Sequence, residues 1–255
     1  MKKNVMMRVA SILLVLVLMS TSAISGTFAK YVTTADVKDT ARVAEWGVVV
    51  SATGSIFKDK YANDGTIEKD KAGNEIAFTV DASGDKVVAP GTKSTDEMVF
   101  TISGTPEVAV NVDIDLNVNK NVYLAAGTYL DYTTGNATDD TFTLSNTYQP
   151  LVFTLKNGTG DVLVSGTIDT VKAYLEDTIS GYYAPNTNLA TALNDAKADG
   201  TYKLSWEWLF EQSNLIYDKA DTYLGNVAAN LAGIDKTGAS VEAEVQFVVT
   251  ITQVD

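Results

Sequence analysis

Hydrophobic and polar residues alternate along two long stretches of the chain, and this pattern predicts two amphipathic strands. Residues 108–118 place an apolar side chain at every second position, with Ala, Asn and Asp between them. Residues 241–254 repeat the alternation as far as Ile251, with Val248 as the exception. A period of two is typical of a strand that buries one face and exposes the other to water. Each stretch is therefore predicted to line a hydrophobic core.

Shorter runs rich in β-branched and aromatic residues predict additional strands. They are residues 46–53, 76–80, 97–103, 151–155, 162–164 and 202–210. Ala89-Pro90-Gly91 predicts a turn, and the Asn-Gly-Thr-Gly sequence at residues 157–160 predicts the turn of a hairpin. Residues 57–75 are polar and charged, which predicts a long loop or a projecting hairpin.

Three segments have helical rather than strand spacing. In residues 168–179, apolar side chains recur at the interval of one helix face. Residues 189–198 are rich in alanine and are followed by Gly200, and residues 221–231 are a third, short candidate. Because the predicted strands outnumber these short helices, the chain is predicted to be all-β. We expect an antiparallel, jelly-roll-like β-sandwich of roughly eight to ten strands, with short helices in the connections.

The first 29 residues have the organisation of a secretory signal peptide. Three basic residues precede an apolar run over residues 9–19, and small residues follow it. The apolar run is shorter than the about 20 residues that a membrane-spanning helix requires, which favours cleavage over retention. We expect the cut between Ala29 and Lys30, with Ala23 as the alternative position.

Cleavage at Ala29 divides the chain into three segments. These are a signal peptide (1–29), a polar N-terminal arm (30–45) and a sandwich domain (46–255), which we expect to be single because no Pro- or Ser-rich linker divides it. No cysteine accompanies the signal, and the last residues contain neither an apolar tail nor an LPxTG-type sorting sequence. We therefore expect a secreted protein with no stable membrane anchor after cleavage.

Composition narrows the range of functions. The chain of 255 residues contains no cysteine and no histidine, so disulfides, an H-E-x-x-H zinc site and thiol or Ser-His nucleophiles are excluded. A pair of catalytic carboxylates stays open, because Asp and Glu are plentiful. Cleavage would leave 16 basic and 32 acidic residues, a net charge of −16. This charge disfavours nucleic acid and makes contacts between like subunits sensitive to salt or divalent cations.

The best pair of carboxylates is Asp113 and Asp115. They are two residues apart on a predicted strand, so both side chains project from one face, roughly 7 Å apart. A calcium site or an acid/base pair is one interpretation. The solvated face of an amphipathic strand is the simpler one, because alternation alone predicts it. We expect no cofactor and no catalytic residue, and Asp113 and Asp115 are the only calcium candidates that we retain.

Aromatic residues share one face of the predicted strand at residues 202–210. Leu204, Trp206, Trp208 and Phe210 would form a sugar-stacking platform if they were exposed. Buried, they would belong to the core of the sandwich. We expect burial, because an apolar surface of this size is costly to leave in water.

Three short motifs follow one another along the chain: Gly26-Thr27-Phe28-Ala29, residues 39–48 and Pro90-Gly91-Thr92. In this order they resemble the TasA and camelysin family of secreted proteins of Gram-positive bacteria, whose members a SipW-type signal peptidase cuts at a site similar to Gly26-Thr27-Phe28-Ala29. Residues 39–48 resemble the segment that enters their first strand, and Pro90-Gly91-Thr92 resembles their PG turn. The resemblance covers the ends and several strands but not the middle of the chain.

The resemblance implies a structural subunit of extracellular or biofilm matrix fibres. The mature N-terminal segment would complete the sheet of the next subunit, by donor-strand exchange of the β-augmentation type. The residues implied as donor are Lys30, Tyr31, Val32, Thr33, Thr34, Ala35, Asp36 and Val37. The partners implied are other copies of the chain and the signal peptidase, with no nucleic acid.

Two other functions stay open at this stage. A monomeric cell-surface adhesin or carbohydrate-binding sandwich would require exposed aromatic residues. An endopeptidase of the camelysin type is the third alternative, and the missing histidine gives it little support. We therefore expect a protein that is not an enzyme and that assembles with itself.

Overall fold

The computed structural model describes most of the predicted sandwich and a short part of the arm. The residues described are 32–36, 47–57, 62–63, 68–69, 75–76, 86–95, 97–133, 140–193, 199–209 and 215–254. The predicted signal peptide and the cleavage position between Ala29 and Lys30 lie outside these residues, as do Tyr31 and Val37 of the predicted donor strand.

Strands account for most of the regular structure. They are β1 (Val32–Asp36), β2 (Val48–Thr53), β3 (Ala62–Asn63), β4 (Glu68–Lys69), β5 (Glu75–Ile76), β6 (Thr92–Lys93), β7 (Met98–Gly104), β8 (Val110–Lys120), β9 (Tyr123–Leu124), β10 (Gly127–Leu130), β11 (Thr141–Leu144), β12 (Leu151–Asn157), β13 (Val162–Gly166), β14 (Gly181–Tyr183), β15 (Thr201–Trp208), β16 (Ala239–Ser240) and β17 (Glu244–Gln253). The helices are α1 (Ile168–Tyr174), which continues as a π-helical turn (Leu175–Ile179), α2 (Leu189–Ala192) and α3 (Leu215–Ala228).

The first sheet has the order β1-β17-β8-β14, and every neighbouring pair is antiparallel. Its two central strands are the two stretches with the clearest alternation. In β8 the side chains of Val110, Val112, Ile114 and Leu116 are fully buried, and in β17 those of Phe247, Val249 and Ile251 are as well. The prediction of two long amphipathic strands is confirmed, and the two strands pair with each other along their length.

The second sheet contains β15 at its centre. On one side β15 pairs with β12, which pairs with β13, and on the other side it pairs with β7 and β6. β7 pairs in turn with β2, and β6 with β3. The predicted hairpin joins β12 to β13, and the predicted turn at residues 89–91 leads into β6. All these pairings are antiparallel. The predicted hairpin and the predicted turn are both confirmed at their positions in the chain.

The core lies between the two sheets. The ring of Phe247 in the first sheet contacts that of Phe100 in the second, with centroids 4.7 Å apart, and Phe100 stacks on Tyr202 at the same distance. All three side chains are fully buried. The molecule is therefore an antiparallel β-sandwich with short helices, as predicted.

The helices cover the sandwich at its connections. Thr167 caps α1, because its hydroxyl accepts a hydrogen bond from the Thr170 N–H, and Val171 and Ile179 face the core. The Ser180 hydroxyl that follows the π-helical turn accepts a hydrogen bond from the Ile114 N–H at 2.9 Å. This bond fastens the helical segment to the edge of β8.

The prediction for the third helix was wrong in its bounds. α3 begins six residues before position 221 and ends at Ala228, where Asn230 with a φ of +55° stops the helical path. Its first turn carries Leu215, which is 77% exposed, so the apolar spacing that marks a buried helix face starts only later. Among the residues described, no helix combines the length and the apolar character needed to cross a membrane.

Candidate functional site

The N-terminal strand β1 forms an edge of the first sheet. It pairs antiparallel with the C-terminal strand β17, in a register that runs from Val32 opposite Thr252 to Asp36 opposite Val248. Two arm residues therefore lie opposite buried core positions, Thr33 opposite Ile251 and Ala35 opposite Val249. The register makes β1 part of the sandwich and not a free tail.

The described part of β1 lies opposite residues 248–252 of β17. β17 pairs with β8 from Glu244 to Gln253, whereas β1 covers the opposite edge from Val248 to Thr252. Within the described part of the chain, the edge of β17 from residue 244 to residue 247 has no second strand beside it.

A cavity of about 760 Å³ borders residues 244–246 of β17. Its apolar wall includes Ile56, Phe57, Met98 and Val245, and an ion pair between Lys120 and Glu242 lies on its rim. The indole Nε1–H of Trp206 donates a hydrogen bond to the Ile56 carbonyl at 2.7 Å, which fixes the segment that follows β2. The sandwich thus has a partly apolar groove beside β17.

The predicted donor strand is described over residues 32–36, which are β1. In this single chain the segment lies in its own sheet, so donation to a second chain stays a prediction. The predicted cleavage position lies two residues before β1, and a chain cut there would begin with Lys30 and Tyr31 ahead of the strand. β1 would then be a terminal strand.

The calcium candidates Asp113 and Asp115 lie on the outer face of β8. Asp113 is exposed, and the Asp115 carboxylate accepts a hydrogen bond from the Lys172 ammonium on α1 at 3.1 Å. That hydrogen bond is the main reason why the pKa of Lys172 is raised, and Glu176 is 3.5 Å from the same ammonium. The described residues contain no group of three or more acidic, histidine or cysteine side chains placed to hold a metal ion. The geometry of this pair is that of a solvated strand face with a surface ion pair.

The aromatic residues of β15 belong to the core. Trp206 is 2% exposed and Trp208 is 4% exposed, and Leu204 is fully buried, as expected. Phe210 lies outside the described residues. These tryptophans therefore offer no sugar-stacking surface, which removes the residues that motivated the adhesin alternative.

The sequence interpretation missed two buried carboxyl groups whose pKa values are shifted in opposite directions from the ordinary value of an aspartate. Asp131 is 1% exposed, and the hydrogen bond from Lys219 at 2.7 Å, helped by Thr133, lowers its pKa to about 2. Asp221 on α3 is 8% exposed, and burial raises its pKa to about 7 although Tyr148 donates a hydrogen bond to it at 2.7 Å. For Asp221, the available signal was an acidic residue among the apolar positions of one helix face. The sequence prediction starts that helix at residue 221, so Asp221 is its first residue and not part of its buried face.

Comparisons with protein-family profiles, with curated proteins and with solved structures give no match to this chain. The functional argument therefore depends on the geometry just described. Its leading features are the edge position of β1 and its register against β17.

Proposed function

We propose that this chain is a secreted structural subunit that assembles head-to-tail into extracellular fibres by placing its N-terminal strand in the sheet of a neighbouring copy. The observation that carries the proposal is the pairing of β1 with β17, in which a segment close to the predicted cleavage position occupies an edge of the sandwich. β17 accepts whichever β1 is presented to it, because main-chain hydrogen bonds carry most of such a contact.

Topology favours exchange of this strand over any other. A terminal edge strand leaves its sheet without threading the chain through a loop, and it breaks one ladder rather than two. An inner strand such as β8 has partners on both sides. The contact is also heterologous, with a strand on one copy and an edge on the next, so it propagates as a filament wherever the rotation between copies does not close a ring.

The energetic balance between monomer and fibre is close to even for β1 itself. The same five residues pair with the same edge in both states, so their hydrogen bonds cancel. The balance is then decided by effective concentration and by contacts that only neighbouring subunits make. The cavity that Val245 and Gln246 of β17 border is where a neighbour can add such contacts.

Processing and charge give the proposal two further consequences. Cleavage by a SipW-type signal peptidase after Ala29 would free the N-terminus that precedes β1. The processed chain would carry a net charge of −16, so assembly should speed up when salt or divalent cations screen repulsion between subunits. The proposal gives the protein no catalytic role and no cofactor.

The test uses a disulfide between strand positions that face each other. Thr34 lies opposite Thr250, and the chain has no cysteine of its own, so the double variant T34C/T250C contains only the engineered pair. Residues directly opposite in antiparallel strands have Cα atoms about 4.5–5.5 Å apart, a separation that a disulfide can bridge. Oxidation before assembly should lock β1 in its own sheet and abolish filaments in electron micrographs, and reduction should restore them.

Oxidation after assembly distinguishes the two arrangements of the strand. If β1 is exchanged, filaments of the double variant should dissolve in non-reducing detergent into a ladder of covalent multimers. The control T34C/Q246C has the same number of thiols, but position 246 is four residues from Thr250, the partner of Thr34, which is about 13 Å along the strand. This control should give no ladder of covalent multimers. Filaments that contain only intrachain disulfides would refute the proposal, as would normal filaments from a chain that lacks residues 30–41.

A further inference from the structure

Helix α3 packs on one end of the sandwich through a mixed apolar and aromatic face. Ala220, Leu224 and Val227 are buried, and the ring of Tyr217 stacks on that of Tyr148 with centroids 4.8 Å apart and an interplanar angle of 9°. Asp221 lies within this face. An acidic side chain buried on the contact face of a helix is unusual, because a carboxylate loses its hydration there.

The groups around Asp221 do not neutralise a charge. Its Oδ1 accepts one hydrogen bond, from the Tyr148 hydroxyl at 2.7 Å. The Trp208 indole N–H faces it and favours its ionised form, but this nitrogen is buried without a hydrogen bond in acceptable geometry. Asp218, one turn earlier on α3, adds a second negative charge. The nearest ammonium on the helix, Lys219, is bound to Asp131.

Three of the strands that pack against α3 provide no compensating cation. β9, β11 and β16 together contain the residues Tyr123, Leu124, Thr141–Leu144, Ala239 and Ser240, none of which is acidic or basic. Tyr123 is the only titratable residue in these three strands. Among the described residues, the Tyr148 phenol and the Trp208 indole favour the ionised form of Asp221, but burial, helped by the like charge of Asp218, outweighs them and favours a neutral carboxyl group.

We propose that Asp221 acts as a proton-operated latch, so that α3 is held against the sandwich more tightly in mildly acidic than in neutral surroundings. Protonation removes the charge that the site cannot neutralise, and the resulting acid keeps an oxygen that accepts from Tyr148. Ionisation favours an open α3, in which the carboxylate reaches water. This latch does not depend on the proposed strand exchange, because Asp221 and its partners Tyr148 and Trp208 lie outside β1 and β17.

The pH window follows from the pKa values of the two states. The pKa of Asp221 is about 7 in the docked state and 3.8, its ordinary value, when exposed. The docked state therefore binds more protons between these values, and the equilibrium constant for opening rises about tenfold per pH unit up to pH 7. Opening should become roughly 50-fold more frequent between pH 5 and pH 7 and should level off above pH 7.

Native-state hydrogen exchange of the full chain between pH 5 and pH 8, corrected for the intrinsic pH dependence of exchange, measures this opening. Protection of the α3 amides should fall by roughly 50-fold between pH 5 and pH 7, while the amides of β8 should not change in parallel. The variant D221N should show a flat profile for α3. The variant D218N on the same helix removes the like charge but keeps the titrating group, so its α3 profile should keep the slope and level off at a lower pH.

A second variant keeps the test valid if D221N folds poorly. Y148F removes the hydroxyl that favours the ionised carboxyl, so the α3 profile should level off at a higher pH than in the unaltered chain. The proposal is overturned if α3 protection does not depend on pH, if D221N retains the slope, or if Y148F leaves the profile unchanged. Loss of filaments in the cysteine experiment above would leave these outcomes untouched.

Discussion

Two tryptophans on one strand differ in a single hydrogen bond. Replacing each of them by phenylalanine should separate the contribution of that bond to stability from the contribution of side-chain packing. Trp206 and Trp208 are both on the inner face of β15 and are 2% and 4% exposed. The indole of Trp206 donates to the Ile56 carbonyl at 2.7 Å, whereas the indole of Trp208 has no hydrogen bond in acceptable geometry. W206F and W208F remove the same atoms.

The magnitude follows from what each substitution leaves behind. Both remove similar buried apolar surface, so the packing losses largely cancel in the difference between the two variants. W206F also leaves the carbonyl of Ile56, a residue 1% exposed, without this donor, which costs about 1–3 kcal/mol. We therefore expect W206F to lose about 1–2 kcal/mol more free energy of unfolding than W208F.

Urea unfolding followed by circular dichroism measures the difference without depending on tryptophan fluorescence. The measurement is made at pH 5, below the pKa of about 7 of Asp221, so the carboxyl group beside Trp208 is neutral. W208F then does not also change the surroundings of a charged carboxylate. A difference of 1–2 kcal/mol corresponds to a separation in melting temperature of about 2–8 °C for a domain of this size. Equal losses in the two variants, or a larger loss in W208F, would refute the reasoning.

Three further predictions concern stability. Phe247 is fully buried against Phe100, so F247A should lower the free energy of unfolding by about 3–5 kcal/mol in urea titration. Gly104 has a φ of +117°, and a Cβ there would lie 1.9 Å from the Gly47 carbonyl oxygen, so G104A should lower the melting temperature. A Cβ at Gly225 of α3 would meet only open space, so G225A should raise the free energy of unfolding by about 0.5–1 kcal/mol. D131N should cost about 2 kcal/mol at neutral pH, and because the folded-state pKa of Asp131 is about 2, the cost should disappear as the pH falls from about 4 towards 2 in pH-dependent unfolding.

Periodicity predicted the parts of the fold in which one face is buried along a whole strand. The strands at residues 110–120 and 244–253 were found because their buried residues recur every second position. α1 was found from Val171 and Ile179 at helical spacing, and the structure adds that its last turn is π-helical. In these elements a local pattern is sufficient, since each contacts one continuous core.

Short elements and long-range partners could not be read from the sequence. β9, β14 and β16 are two or three residues long, which is too short for a period to appear. The partner of Asp221 is 73 residues away at Tyr148, and no local pattern encodes such a contact. For the candidate site, the sequence predicted the donor segment, and the structure added its register against β17.

The central ladder of the first sheet joins β8 to β17, the last strand of the chain, across more than a hundred intervening residues. Until residues 244–253 have been synthesised, β8 lacks the strand that pairs with it along its length. Contacts of such high sequence separation also form slowly, because a long loop must close first. The central ladder of the first sheet can therefore form only after residues 244–253 have been synthesised, whereas the hairpin of β12 and β13 can form as soon as residue 166 has been made.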